Sequence, residues 1–224
     1  MGFGLSLGLS LSSMFFFAMF LFFGIKNYQS RFKDIKYDIR NTFPYEINYQ
    51  QRYLDNVLPN VLLTLYIITS VGFFAFFDIK NLNAFTIFMM ASGITFTISS
   101  FFLFFADLRY IRLHLLLVTL IAVFAFATSA SIAVYGFSLF KGNDDNILEL
   151  VIAIIATLLG LFIFGMMMNP KLNFRLDMKK AITPEGKEVL IRPKYFVMAF
   201  SEWMFILSLF IDQILILILY LPIK

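Results

Sequence analysis

Six apolar stretches alternate with polar segments along the chain, and each of them is at least 20 residues long. About 20 helical residues cross the hydrocarbon core of a bilayer. Because lipid cannot satisfy backbone N–H and C=O groups, such stretches are predicted to be helices that satisfy their own. The predicted membrane spans are residues 3–25, 58–77, 85–106, 115–140, 147–168 and 195–221. The pattern predicts an all-α, multi-pass membrane protein, with a six-helix bundle forming one membrane domain over residues 1–224.

The composition supports a lipid environment and excludes several kinds of site. Hydrophobic residues make up 60% of the chain and charged residues 14%, with 31 Phe among the 224 residues. A soluble domain is nearer half apolar and a quarter charged. The chain has no cysteine and one histidine, which excludes disulfides, thiolate chemistry and a metal site built from several histidines. We expect no metal and no cofactor.

Positive charge is concentrated in alternate connections between the spans. The first, third and fifth connections (26–57, 107–114 and 169–194) carry 15 of the 18 Lys and Arg residues. Positive residues remain on the cytoplasmic side of a membrane, so these connections are predicted to be inside and both termini outside.

A net charge of +4 placed in this way suits an anionic membrane surface, and we expect no nucleic-acid partner. The Phe-, Ile-, Asn- and Lys-rich usage favours a bacterial plasma membrane.

The opening stretch, "GFGLSLGLSLSS", alternates small and large residues. No Lys or Arg precedes Lys26, so the positive region that begins a cleavable signal peptide is missing. Read as a helix, the stretch has two faces of small residues, of the kind that lets membrane helices approach closely. These faces hold Gly4, Gly8 and Ser12 on one side, and Gly2, Ser6 and Ser10 on the other. We expect an uncleaved first helix packed on two sides; the alternative is a frayed, poorly packed helix start.

The last span contains two acids in an otherwise apolar run, Glu202 and Asp212, together with Ser208 and Gln213. An intramembrane carboxylate is costly unless it is protonated, paired or hydrated, which makes it a candidate functional group. One hypothesis is a proton or cation path, or a contact with another subunit. The other is structural, with Glu202 reaching toward the basic fifth connection and Asp212 bonded to Ser or Thr. Glu149, near the start of the fifth span, is a third candidate carboxylate.

Small residues at helical spacing mark three of the other spans and predict close helix contacts. A narrow polar pathway is the alternative interpretation. The stripes are Ser92, Thr95 and Ser99; Ala122, Ala125, Ser129, Ala133 and Gly136; and Glu149, Ala153, Ala156 and Gly160. The single histidine, His114, is predicted to be an interfacial residue without a special role, although an imidazole there would titrate near neutral pH.

The two long connections carry structure-forming patterns. In the first, Tyr28, Phe32, Ile35 and Ile39 recur at helical spacing, which predicts an amphipathic segment on the inner leaflet. In the fifth, "AITPEGKEVLIRP" places a Pro-Glu-Gly turn between two β-prone pieces and predicts a small hairpin.

Basic residues of the third and fifth connections are candidates for docking a soluble protein, although a solvated loop explains them equally well. They are Arg109, Arg112, Lys179, Lys180, Lys187 and Arg192. In the third connection, Asp107 is predicted to pair with one of the neighbouring arginines and to fix the corner between two helices.

No nucleotide-binding glycine loop, metal-ligand run or nucleophile–base set occurs in the chain. We therefore expect a non-catalytic membrane subunit that anchors a larger complex, with the lipid bilayer and other protein subunits as partners. The alternative is a small proton- or cation-coupled transporter or channel that uses Glu202 and Asp212. An enzyme that modifies lipids within the membrane is a third hypothesis.

Overall fold

The computed structural model of the protein describes residues 3–31, 36–48, 57–77, 83–106, 108–142, 147–172, 179–182 and 188–220. Six long helices dominate this part of the chain, joined by one short helix, two 3₁₀ turns and one hairpin. The long helices are α1 (Phe3–Arg31), α3 (Val57–Phe76), α4 (Ala84–Leu103), α5 (Ile111–Gly142), α6 (Ile147–Met167) and α7 (Val197–Leu219). The short helix is α2 (Pro44–Ile47), and the 3₁₀ turns are Leu108–Tyr110 and Pro170–Leu172. The predicted all-α bundle is confirmed.

Each of the six long helices is long and apolar enough to cross a bilayer. Large apolar side chains cover their outer faces; Leu158 and Leu161 of α6, for example, are 61% and 59% exposed. Exposure on this scale is unfavourable in water but matches the hydrocarbon of a membrane. The chain is an integral, multi-pass membrane protein.

Two helices extend beyond their predicted spans. Helix α1 continues to Arg31 and α5 begins at Ile111, so each includes polar residues that the apolar pattern assigns to connections. Hydropathy marks the part of a helix that lies in hydrocarbon, whereas backbone hydrogen bonding continues into the polar interface. The extension of α5 brings His114 into the helix, one turn from its start.

The last helix in sequence is the centre of the bundle. Helices α1, α3, α4, α5 and α6 pack in chain order, each against the next along the chain, and α7 contacts α1, α4, α5 and α6. More than half of the apolar window of α7 is buried, at 56%, against 28% for α1 and for α6. A polar side chain on most faces of α7 therefore meets another helix instead of lipid.

The small residues of α1 and of the α5–α6 contact behave differently. On α1 the face with Ser6 and Ser10 is buried, but a Cβ added at Gly4 or Gly8 would meet nothing within 4 Å. The predicted packing of α1 on two sides thus holds for one side only. Between α5 and α6 the close approach is confirmed, because a Cβ at Gly136 would lie 3.0 Å from the Cβ of Ala153.

The predicted hairpin in the fifth connection is present. Strand β1 (Lys179–Ile182) pairs antiparallel with β2 (Glu188–Ile191), and Lys179 lies opposite Ile191. The Pro-Glu-Gly turn lies outside the described residues.

The first connection departs from the predicted amphipathic helix. Tyr28 belongs to α1, where it is buried with its ring 5.5 Å from that of Tyr37, and residues 36–38 are not helical. Phe32 and Ile35 lie outside the described residues. Farther along, Phe43 and Ile47 are 0% and 1% exposed, because α2 inserts its apolar side chains into one end of the bundle. Phe43 and Ile47, which the amphipathic pattern did not include, thus cover the protein's own core, whereas Ile39 of that pattern is 39% exposed.

Candidate functional site

Buried polar side chains along α7 form the candidate site. Glu202, Asp212 and Gln213 are all 0% exposed, and Ser208 is 2% exposed. Glu202 and Asp212 are ten residues apart, which separates them by about 15 Å along the helix axis. The polar groups therefore form two layers, one around Glu202 and one around Asp212 and Gln213.

In the first layer, Glu202 is paired with the only histidine of the chain. The Nε2 atom of His114 lies 2.8 Å from Oε1 of Glu202, and both side chains are 0% exposed. The other ring nitrogen, Nδ1, lies 2.6 Å from the backbone carbonyl oxygen of Ala106. The prediction that His114 is an interfacial residue is therefore wrong. The structural hypothesis has Glu202 reach toward the basic fifth connection. Its Oε1 instead contacts His114 on α5, so this part of the hypothesis is wrong.

The contacts of His114 fix where its protons lie. A carbonyl oxygen only accepts, so Nδ1 carries a hydrogen and donates it to Ala106. The hydrogen bond between Nε2 and Glu202 then requires one more proton. Either an imidazolium donates this proton to a carboxylate, or a carboxylic acid donates it to a neutral imidazole. In both arrangements the pair has no net charge and shares one proton. The second oxygen of Glu202, Oε2, has no hydrogen-bond partner among the described residues.

Aromatic rings cover the His114–Glu202 pair at one end of the bundle. The rings of Phe43 and Tyr45 meet the imidazole edge-on, each with its centroid 5.6 Å away. Phe43 in turn packs against Phe196, just before α7, at 5.3 Å. These side chains close the route from the pair to the polar ends of the first and fifth connections.

The covering segments are bonded to each other, and we call residues 36–48 together with 192–196 the cap. Arg192 donates from Nη1 to the carbonyl oxygen of Asn41 at 2.9 Å and to the carboxylate of Glu46 at 2.9 and 3.1 Å. The backbone N–H of Phe196 donates to the carbonyl oxygen of Arg40 at 2.7 Å. Glu46 also accepts from the backbone N–H of Phe43, at the start of α2. Arg192, a predicted docking residue, is thus used within the protein.

Two polar side chains of the cap have shifted acidities. Burial raises the pKa of the Tyr37 phenol above its ordinary value, so that it remains neutral. The side chain of Arg40 donates hydrogen bonds to Asp38 and lowers the pKa of that carboxyl. Near neutral pH the phenol of Tyr37 is therefore neutral, and the carboxylate of Asp38 is ionised and accepts from Arg40.

In the second layer, Asp212 accepts a hydrogen bond through Oδ1 from the Ser129 hydroxyl of α5, at 2.9 Å. Its other oxygen, Oδ2, is buried without a hydrogen-bond partner in the described part of the chain. The predicted bond to a bundle Ser or Thr is confirmed. Among the described residues, Asp212 is therefore held to α5 by one hydrogen bond.

Gln213 connects three helices to α7. Its Oε1 accepts from Ser13 at 2.9 Å and from Ser10 at 3.3 Å, both on α1. Its Nε2 donates to the Ser70 hydroxyl of α3 at 2.7 Å, and Ser70 lies 3.3 Å from Thr97 of α4. Ser208, by contrast, donates to the carbonyl of Phe205 in its own helix. Gln213 therefore helps to fix the arrangement of the bundle.

Mostly apolar side chains separate the two layers. Phe205, Ile206 and Leu209, which lie between Glu202 and Asp212 on α7, are all 0% exposed. Glu149 belongs to neither layer. Its backbone lies against Gly136, seven residues beyond Ser129 on α5 and so about 10 Å farther along that helix.

The remaining candidate docking residues belong to the third and fifth connections. Arg109 and Arg112 are exposed, and Lys179 and Lys180 belong to β1. Lys187 and the predicted pairing of Asp107 lie outside the described residues. In the described part of the chain, no group of three His, Cys, Asp or Glu side chains could hold a metal ion.

No protein-family model, curated protein or solved structure matches the chain.

Proposed function

We propose that the chain is a non-catalytic integral membrane subunit, which anchors a larger multi-protein complex through the end of the bundle that carries the cap. The cap is the observation that carries this proposal. Arg192 and Glu46 lie 146 positions apart in sequence, yet their ion pair joins the fifth connection to the first. The parts of the two long connections that form the cap thereby make one folded surface, which is better suited to docking than separate solvated loops.

The charge of this surface indicates its partner and its side of the membrane. Arg109, Arg112, Lys171 and Lys194 are exposed near the cap or the adjoining connections. The connections at this end hold 15 of the 18 positive residues. By the positive-inside rule we place this end in the cytoplasm and both termini outside, in a bacterial plasma membrane. An acidic face of a soluble protein is the complementary partner.

Charge reversal tests the docking surface without disturbing the cap. Arg112→Glu combined with Lys171→Glu, both at exposed positions, should remove partner proteins that co-purify stoichiometrically in mild detergent, as measured by quantitative mass spectrometry. Lys141→Glu, exposed at the opposite end of α5, is the matched control and should retain them. If the native chain purifies without stoichiometric partners, or if the double variant retains them, the proposal is wrong.

A proton- or cation-coupled transporter is the second candidate function. The specific observation in its favour is that two carboxyl groups and one imidazole, Glu202, Asp212 and His114, are all 0% exposed within the membrane bundle. Intramembrane ionisable residues commonly mark ion or proton pathways. The apolar side chains between the layers require that such a path open by a rearrangement of the bundle.

Flux measurements separate the two functions. For a transporter, Glu202→Gln and Asp212→Asn should each abolish proton or cation flux in reconstituted vesicles while the protein still inserts. Asp38→Asn, a partly exposed acid of the cap that is paired with Arg40, is the control and should leave flux unchanged. Absence of ion-dependent flux from native vesicles would remove the support for this second function.

A further inference from the structure

We propose that the His114–Glu202 pair is a proton-binding site and that its one bound proton holds the cap closed over it. This site goes beyond the anchoring function, because it requires neither a docked partner nor transport. It is built from a fully buried imidazole and a fully buried carboxyl 2.8 Å apart, at the place where the cap meets the bundle.

The number of protons determines the charge that the closed cap must bury. With one shared proton the pair is neutral, because Nδ1 of His114 keeps its own hydrogen on Ala106. Loss of the shared proton leaves one negative charge at a site with no solvent exposure, and gain of a second proton leaves one positive charge. An unpaired buried charge is strongly unfavourable. The closed cap is therefore most stable at intermediate pH and less stable on both sides.

The cap lies between the pair and the polar end of the bundle, and its opening would let water reach a charged pair. Phe43 and Tyr45 cover the pair from the segment 36–48, which is held in place by hydrogen bonds from Arg192, Phe196 and Trp203. The ion pair that attaches this segment is itself partly exposed, at 31% for Arg192 and 19% for Glu46. Such a pair is partly screened and contributes modestly to closure.

Other ionisable groups near the pair do not replace it as the titrating element. Glu46 and Arg192, from the two parts of the cap, neutralise each other. Tyr28 of α1, and Tyr37 and Tyr45 of the cap, are phenols that stay neutral over ordinary pH. The segment before Ala106, residues 103–106, has no ionisable side chain. The alkaline step of cap opening thus belongs to the His114–Glu202 pair.

A cysteine reporter measures closure directly, because the native chain has no cysteine. Ile47→Cys places a thiol at a cap position that is 1% exposed and does not cover the pair. Its labelling rate is divided by that of Lys36→Cys, an exposed reference in the cap, to correct for thiol ionisation. The ratio should be lowest near neutral pH, and on the alkaline side it should rise up to about tenfold per pH unit, the limit for loss of one proton.

The matched variant is Glu202→Gln in the same reporter background. The amide of Gln donates to Nε2 of His114 without a shared proton, so the alkaline rise should disappear while the acid rise remains. Asp212→Asn, in the other layer, should retain both. A flat native profile, or an alkaline rise that survives in Glu202→Gln, would overturn the proposal.

A second measurement needs no variant and holds even if Glu202→Gln does not fold. Because the chain has one histidine, protein labelled with ¹⁵N-histidine gives a single imidazole spectrum. We expect a ring that keeps its Nδ1 protonated, in line with its contact to the Ala106 carbonyl oxygen. Its changes should coincide with those of Ile47→Cys labelling. A ring that titrates near the ordinary histidine value of about 6.5 while labelling stays constant would contradict the assignment.

Discussion

The indole N–H of Trp203 donates a hydrogen bond of 2.7 Å to the backbone carbonyl oxygen of Thr42, across 161 positions of sequence. Trp203 is the only tryptophan of the chain and is 2% exposed. Trp203 directly follows Glu202 on α7. Of these two adjacent residues, Trp203 bonds to the cap, and Glu202 bonds to His114 beneath the cap. The cap is therefore bonded to α7 directly beside the buried pair.

Trp203→Phe should destabilise the protein and loosen the cap. The change keeps an aromatic ring but removes the donor, which leaves the buried carbonyl of Thr42 unsatisfied at a cost of about 1–3 kcal/mol. We expect a lower Tm in detergent and faster labelling of Ile47→Cys at neutral pH. Phe102→Leu, on an outer face that is 52% exposed, is the control and should change neither. An unchanged labelling rate would show that the Trp203 bond does not hold the cap.

Gln213→Leu should weaken the bundle more than any single serine substitution on α1. The leucine removes hydrogen bonds to Ser10, Ser13 and Ser70 together, at about 0.6 kcal/mol for each interhelical bond, or about 2 kcal/mol in total. Ser13→Ala removes one of them and should cost about a third as much. The measurement is unfolding of the purified protein by denaturant in detergent. Equal losses in the two variants would contradict a linking role for Gln213.

The spans were predictable from the sequence because the length and hydropathy of a membrane helix are local properties. The β1–β2 hairpin was predictable for a similar reason, since turn chemistry and β-branched residues lie next to each other in the chain. The contacts of Asp212 followed from chemistry alone, because the bundle offers Ser and Thr hydroxyls and the described part of the chain brings no cation to Asp212.

The role of His114 was not predictable, because its partner Glu202 is 88 positions away and only the packing of α5 on α7 brings them together. The cap was missed for a different reason. A pattern of apolar residues in a polar segment is the same whether the segment covers lipid or the end of its own bundle. A helix-breaking proline at the start of α2, Pro44, was the one local signal against a long surface helix.

Gly136→Leu should separate α5 from α6. A Cβ at this position would already lie 3.0 Å from Ala153, and the larger side chain forces the helices apart, at a cost of about 1–3 kcal/mol. Gly4→Leu is the matched control, because a Cβ there meets nothing within 4 Å. We expect a lower Tm for the first variant and an unchanged Tm for the second. If Gly4→Leu is equally destabilising, the open face of α1 is covered by another protein surface in the membrane.

The last prediction concerns orientation, on which the docking proposal depends. Lys141 and Lys194 are exposed and lie toward opposite ends of the bundle, since α5 runs for 32 residues from the cap end to Gly142. In intact cells an impermeant thiol reagent should label Lys141→Cys, whereas Lys194→Cys should require permeabilised membranes. The 15 positive residues in the connections at the cap end are the physical reason, because translocating them across the membrane is unfavourable. The reverse pattern would place the cap outside the cell, and a cytoplasmic partner could then not bind it.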